Sequence, residues 1–150
     1  KLIIQTMIAV LFLVYDGIRT NFRTSVDIPF TGVTLELSYF YYVLAFLAFV
    51  GFVNAVNLTD GIDGLATTVT MPVSAFFIIA SVAKNAGELS ILAAALLGGC
   101  VVFICFNKNP AKVFMGDTGS MFFGGMVVTL AFSLDMPLIL IIVGSRRSPL

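Results

Sequence analysis

The chain has 150 residues, of which 59% are hydrophobic and 11% are charged, and its eight basic residues balance eight acidic ones. A soluble domain carries about 25% charged residues, so this composition predicts a membrane protein or a part of one. The neutral balance provides no basic face, and we expect no nucleic-acid partner. Histidine is absent from the sequence, which excludes imidazole catalysis and imidazole metal ligation within these residues.

Apolar runs follow one another along the sequence at residues 2–15, 39–56, 65–83, 89–106, 121–134 and 137–144. A membrane-spanning helix needs about 17–25 residues, so the second, third and fourth runs are long enough to span. The fifth is long enough if its polar start at 118–120 continues the helix, and the first and last are too short alone. The pattern predicts an all-α, polytopic bundle of about five to six membrane helices.

The chain starts at Lys1 without Met and ends shortly after its last apolar run. We expect residues 1–150 to form a single transmembrane domain, the C-terminal part of a larger protein from which segments are missing. Residues 24–37 alternate apolar and polar around Pro29 and Gly32, which predicts a short hairpin with a structural role on the outer surface.

Two polar motifs interrupt the apolar runs. Motif 1 (residues 54–64) reads NAVNLTDGIDG and follows the second run, and motif 2 (residues 107–120) reads NKNPAKVFMGDTGS and follows the fourth. If successive runs cross the membrane, both motifs face the same side. An ionisable side chain is costly in lipid, so the acids Asp60, Asp63 and Asp117 at these positions indicate a function.

Lysine and arginine are distributed unequally between the two predicted sides. The motif side carries Lys1, Lys108, Lys112, Arg146 and Arg147, and the other side carries Arg19, Arg23 and Lys84. By the positive-inside rule this excess predicts that the motifs face the cytoplasm.

Motif 1 combines polar side chains with glycines. Asp60 and Asp63 would share a face if the helix continued, but Gly61 and Gly64 make a continuous helix less expected and allow a ligand to approach the backbone. The alternative is helix capping, which Asn57, Thr59, Asp60 and Asp63 could each provide. A helix start needs one cap, so the whole cluster favours a binding site.

Motif 2 predicts a glycine turn at Gly116, with Asp117 as an N-cap candidate at the start of a helix. The N–H groups at such a helix start attract phosphate. Mg²⁺ is commonly held by one or two carboxylates together with phosphate oxygens and water, so Asp117 is the predicted magnesium ligand, with capping as its alternative role. Lys108 and Lys112 border the site and could face either a pyrophosphate or lipid headgroups.

Together, residues 54–66 and 111–120 resemble the polyprenyl-phosphate N-acetylhexosamine-1-phosphate transferase family, and within it the members that use UDP-MurNAc-pentapeptide. The resemblance implies Mg²⁺-dependent transfer of phospho-MurNAc-pentapeptide from UDP to undecaprenyl phosphate, which yields lipid I and UMP in peptidoglycan synthesis. It also implies a multi-pass protein among the lipids of the bacterial inner membrane, with its active site facing the cytoplasm. A homodimer is one oligomeric state that the family allows.

The resemblance also implies roles for the motif residues. Asp117 would be the catalytic, Mg²⁺-binding residue. Asn57, Asp60 and Gly116 would line the nucleotide-sugar cleft, while Leu58, Asp63 and Phe114 would hold the uracil, with Phe114 stacking on it. Asn54 and Asn107 would add polar contacts nearby.

The sequence departs from the family in two respects. The family carries an adjacent Asp-Asp pair on an earlier helix and a histidine run in a cytoplasmic loop, and neither occurs here. Residues 147–150 resemble those just before the histidine run. We therefore expect these 150 residues not to catalyse transfer alone.

Two other classes of protein fit parts of the pattern. In a cation or solute transporter, Asp60, Asp63 and Asp117 would line a path, but acids clustered at one membrane face suit this role poorly. In an intramembrane aspartyl protease, Asp117 would need Asp60 or Asp63 as a facing partner.

Overall fold

The computed structural model describes residues 2–22, 24–27, 34–36 and 38–140. These residues form, in chain order, α1 (Leu2–Arg19), β1 (Ser25–Asp27), β2 (Thr34–Glu36), α2 (Phe40–Thr59), α3 (Leu65–Ala83), α4 (Gly87–Asn107) and α5 (Gly116–Ser133). Within this part of the chain, α2, α3 and α4 are long and apolar enough to cross a membrane. The predicted all-α membrane bundle is confirmed, whereas the single-domain assignment stays a prediction.

Some sequence-based predictions fall outside the described residues. They concern Lys1, Arg23, Arg146 and Arg147 of the charge count, the turn at Pro29 and Gly32, residues 141–144 of the last apolar run, and residues 147–150.

Two helices extend beyond the apolar runs that predict them. α1 continues past Tyr15 to Arg19, so it is a turn longer than its run. α5 begins at Gly116 and includes the polar residues 118–120, so the helix reaches 18 residues. It is nevertheless not among the described helices that are apolar enough to cross a membrane, so a membrane span for the fifth run stays a prediction.

The described chain divides into two compact units, the first made of residues up to Phe52 together with those from Asp135 onward. In this unit Gln5 Nε2 donates to the backbone carbonyl of Val50 at 3.3 Å, and the rings of Phe12 and Phe49 lie 5.4 Å apart, so α1 packs on the first part of α2. β1 and β2 pair antiparallel with Val26 opposite Leu35, which confirms the predicted hairpin.

The second unit, Val53–Leu134, contains the end of α2 and all of α3, α4 and α5. α3 packs chiefly on α4, and both contact α5. The core includes Phe77, Val128 and Leu130, none of which is exposed. The hydroxyls of Thr70, Ser74 and Ser81 are also buried, and each donates to the carbonyl four residues earlier in α3, which satisfies them without a partner helix.

Close helix packing fixes the end of α2 against α5. A Cβ atom added at Gly124 would lie 2.9 Å from Val53 Cα, so only glycine fits at this crossing. At the far end of the unit, Lys84 Nζ donates to the carbonyl of Leu134 at 2.5 Å and ties the end of α3 to the end of α5. The two motifs occupy the opposite end.

Candidate active site

The two motifs form the connections at one end of the second unit. Residues 60–64 turn the chain between α2 and α3, and residues 108–115 link α4 to α5. Asp60 and Asp63 therefore lie in a turn and do not share a helix face. Gly64 has a φ of 72° and Gly116 a φ of 66°, so each reversal into a following helix uses a left-handed backbone that glycine adopts easily.

Asn107, the last residue of α4, joins the two connections. Its side chain is 2% exposed. Its Oδ1 accepts from the N–H of Gly64 at 2.9 Å, and its Nδ2 donates to the carbonyl of Val113 at 2.9 Å. The structure thus gives Asn107 a role in holding both loops, while the predicted contact with a substrate stays a prediction.

Asp63 adds a second link between the motifs. Its Oδ2 accepts from the N–H of Ala111 at 3.1 Å. One carboxylate oxygen of the first loop is therefore engaged with the backbone of the second.

Asn57 and Asp117 face each other across α2 and α5. Asn57 Nδ2 donates to Asp117 Oδ1 at 2.9 Å and to Ser120 Oγ at 2.7 Å. Asp117 lies in the first turn of α5, whose N-cap position is Met115, so the prediction of Asp117 as the N-cap residue is wrong. The helix thus starts two residues earlier than predicted, and the Asp117 side chain is exposed.

Asp60 lies beside the same helix start. Partial burial raises the pKa of Asp60; the nearby backbone N–H of Gly116 opposes this rise, and the negative charge of Asp117 adds to it. Two carboxylates that repel each other at one helix start favour a bound cation.

Two apolar side chains border these polar groups. Leu58 follows Asn57 and is 80% exposed, and Phe114 precedes the glycine turn and is 66% exposed. Asn54 is half-buried on α2, about one turn before Asn57. Leu58 and Phe114 thus expose apolar surface within three residues of Asn57 and Asp117, respectively.

The donor set suits a metal that takes few protein ligands. In the described residues no group of three or more Asp, Glu or Cys side chains could form a metal cage. Mg²⁺ needs only one or two carboxylates when phosphates and water complete its shell, and Asp117 with neighbouring Asp60 provides that number.

Sequence reasoning missed Ser120 as part of the site. Its side chain is completely buried, and it touches Asn57 as described above. The available signal was its spacing of three residues from Asp117, which places both side chains on one face of a helix.

The fold and the site define a helical membrane protein with acidic side chains and glycine turns at one end of its bundle. Residues 1–135 match the family model for glycosyl transferase family 4. The chain belongs to this family.

Relatives carry a more specific name. A phospho-N-acetylmuramoyl-pentapeptide-transferase of Alkaliphilus metalliredigens is 45% identical over 96% of this chain and 47% of its own length. Enzymes of the same name from Halalkalibacterium halodurans and Clostridium botulinum are 46% and 43% identical, over 96% and 88% of this chain and 44% and 40% of their own lengths. The chain thus spans less than half the length of these relatives, and the resemblance found from the motifs is confirmed.

Proposed function

We propose that the complete protein containing this chain transfers phospho-MurNAc-pentapeptide from UDP to undecaprenyl phosphate, forming lipid I and releasing UMP. The observation that carries the proposal is the meeting of Asn57, Asp60 and Asp117 at the start of α5. The names of the relatives support the same reaction. The lipid phosphate is already an anionic nucleophile, so the protein's main task is positioning and charge stabilisation.

Asp117 is the proposed Mg²⁺ ligand, with Asp60 as the neighbouring carboxylate. When bound, the metal supplies positive charge beside the phosphates of the nucleotide sugar. Asn57 holds one oxygen of the Asp117 carboxylate at 2.9 Å and so limits its rotation. The nearby Gly116 N–H favours the ionised form of the Asp60 carboxylate.

The uridine end of the substrate is assigned to the apolar border of the cleft. Phe114 offers an exposed ring for stacking, and Leu58 and Asp63 are the other proposed uracil contacts. Asp63 keeps its position through Ala111. We place the cleft on the cytoplasmic side of the bacterial inner membrane, where UDP-linked substrates are available.

The test is UMP release by the complete gene product in detergent, supplied with UDP-MurNAc-pentapeptide and undecaprenyl phosphate, with and without Mg²⁺. Asp117→Asn keeps the size of the side chain but removes its charge. We expect Mg²⁺-dependent release in the wild type and a loss of at least about 100-fold in the variant, the size typical when one key electrostatic group is removed.

Glu88→Gln is the matched control, since it removes one carboxylate from the opposite end of α4. It should release UMP at the wild-type rate. Absence of UMP release from folded wild-type protein contradicts the proposal, and wild-type rates in Asp117→Asn contradict the assignment of the metal ligand.

A further inference from the structure

Ser120 connects the backbone of α5 to the side chains of the site. Its hydroxyl donates to the carbonyl of Gly116 at 2.9 Å, with the carbonyl of Asp117 as a more distant acceptor at 3.4 Å, and accepts from Asn57 Nδ2 at 2.7 Å. The side chain is completely buried, in contrast to Asp117, which lies one turn earlier on the exposed side. Ser120 therefore contacts Asn57 on its buried side, whereas Asp117 contacts it on its exposed side.

The two hydrogen bonds of Asn57 determine how its amide is oriented. A primary amide has two N–H donors on one nitrogen, and here one is directed at Asp117 Oδ1 and the other at Ser120 Oγ. An ionised carboxylate only accepts, so a flipped amide would place its oxygen against Asp117. The Ser120 hydroxyl fits because its own hydrogen is already given to Gly116.

The chain of contacts then runs from the glycine turn to the metal-binding carboxylate. The Gly116 carbonyl orients the Ser120 hydroxyl, the hydroxyl anchors the Asn57 amide, and the amide holds Asp117.

We propose that Ser120 is a positioning residue, which acts through Asn57 to hold the Asp117 carboxylate in the orientation that binds the divalent cation. This inference rests on the proposed function. Ser120 is completely buried, so we assign it no direct contact with metal or substrate. Its removal should weaken cation binding without abolishing it, because Asn57 and Asp117 both remain.

The test compares Ser120→Ala with wild type in the complete gene product in detergent, using Mn²⁺ as the probe and the EPR signal of free Mn²⁺ as the readout. We expect the Mn²⁺ dissociation constant to rise roughly 3- to 10-fold, the equivalent of one neutral hydrogen bond. The Mg²⁺ concentration for half-maximal UMP release should rise by a similar factor.

A double-mutant cycle separates positioning from general packing. In an Asn57→Ala background, Ser120→Ala should have no further effect on Mn²⁺ binding, because the residue through which it acts is gone. Ser74→Ala is the matched control, since Ser74 is equally buried but bonds only to its own helix backbone in the structure. It should leave Mn²⁺ binding unchanged.

The outcomes distinguish the two proposals. Wild-type protein that neither binds Mn²⁺ nor releases UMP overturns the proposed function and this inference with it. Normal wild-type behaviour with unchanged Mn²⁺ binding in Ser120→Ala, or additive losses in the cycle, overturns the role of Ser120 alone. If Ser120→Ala does not fold, Ser120→Cys serves instead, since a thiol is a weak acceptor and should weaken Mn²⁺ binding in the same direction.

Discussion

The side-chain oxygen of Asn107 accepts a hydrogen bond from the backbone N–H of Gly64, 2.9 Å away, so the last residue of α4 holds the start of α3. The nitrogen of the same amide holds the carbonyl of Val113 in the next loop. One buried side chain thus fixes the two segments that carry the acids and Phe114. The architecture of the site depends on this amide.

Replacing Asn107 with Ala should destabilise the protein by about 1–3 kcal/mol, because the buried N–H of Gly64 loses its acceptor and the half-buried carbonyl of Val113 loses its donor. Thermal melting in detergent, followed by circular dichroism at 222 nm, measures the effect. Lys112→Ala, an exposed change in the same loop, should melt with the wild type. Equal melting temperatures for Asn107→Ala and Lys112→Ala would contradict the role given to the amide.

The crossing of α2 and α5 at Gly124 gives a second prediction. Gly124→Ala should destabilise the protein by about 1–3 kcal/mol, since the new methyl group meets the backbone of Val53, which cannot rotate away. UMP release should also fall, because Asn57 lies one turn beyond Val53 on α2.

The adjacent Gly125 provides the control for this crossing. No described heavy atom lies within 4 Å of a Cβ added there, and alanine stabilises a helix by about 0.5–1 kcal/mol relative to glycine. Gly125→Ala should melt at or above the wild-type temperature. A higher melting temperature for Gly124→Ala than for Gly125→Ala would rule out a close crossing at Gly124.

Substitutions at Gly116 separate the cost of a left-handed backbone from the cost of a steric clash. No described heavy atom lies within 4 Å of its added Cβ, but its φ of 66° costs other residues about 1–2 kcal/mol. Gly116→Ala should lower both the melting temperature and UMP release. Gly116→Asn should lower the melting temperature less, because asparagine tolerates left-handed backbone, and equal destabilisation by both would argue against this cause.

Phe114→Ala should raise the KM for UDP-MurNAc-pentapeptide without changing the melting temperature. The ring is largely exposed, so little packing is lost, whereas stacking on a base contributes about 1–3 kcal/mol. Steady-state kinetics with varied nucleotide sugar provides the measurement. Phe106→Ala, which also removes an exposed ring, should leave KM unchanged, and an equal rise in both variants would refute uracil stacking by Phe114.

Much of the fold could be predicted from apolar run length alone. The helices α2, α3 and α4 follow runs that are long enough to cross a bilayer. The meeting of motif 1 and motif 2 followed from parity, because two helix ends separated by two crossings lie on one side. Helix length is a local property, and the side on which a helix ends depends only on the order of the helices.

The partners of individual side chains could not be predicted in this way. Nothing in the sequence pairs Asn107 with Gly64 or Asn57 with Ser120, since these contacts span 43 and 63 residues and depend on helix rotation and close approach. The start of α5 also differs from the prediction. Gly116 is the first residue of the helix despite its positive φ, so Asp117 is not the cap.

The hydroxyls along α3 have a consequence for how the protein is made. Thr70, Ser74 and Ser81 each bring a hydroxyl into a membrane segment, yet each is satisfied by its own helix at 2.6–2.8 Å. In hydrocarbon an unsatisfied polar group would need a partner on a neighbouring helix. These three hydroxyls therefore need no such partner when α3 enters the lipid during synthesis, before α4 and α5 have been made.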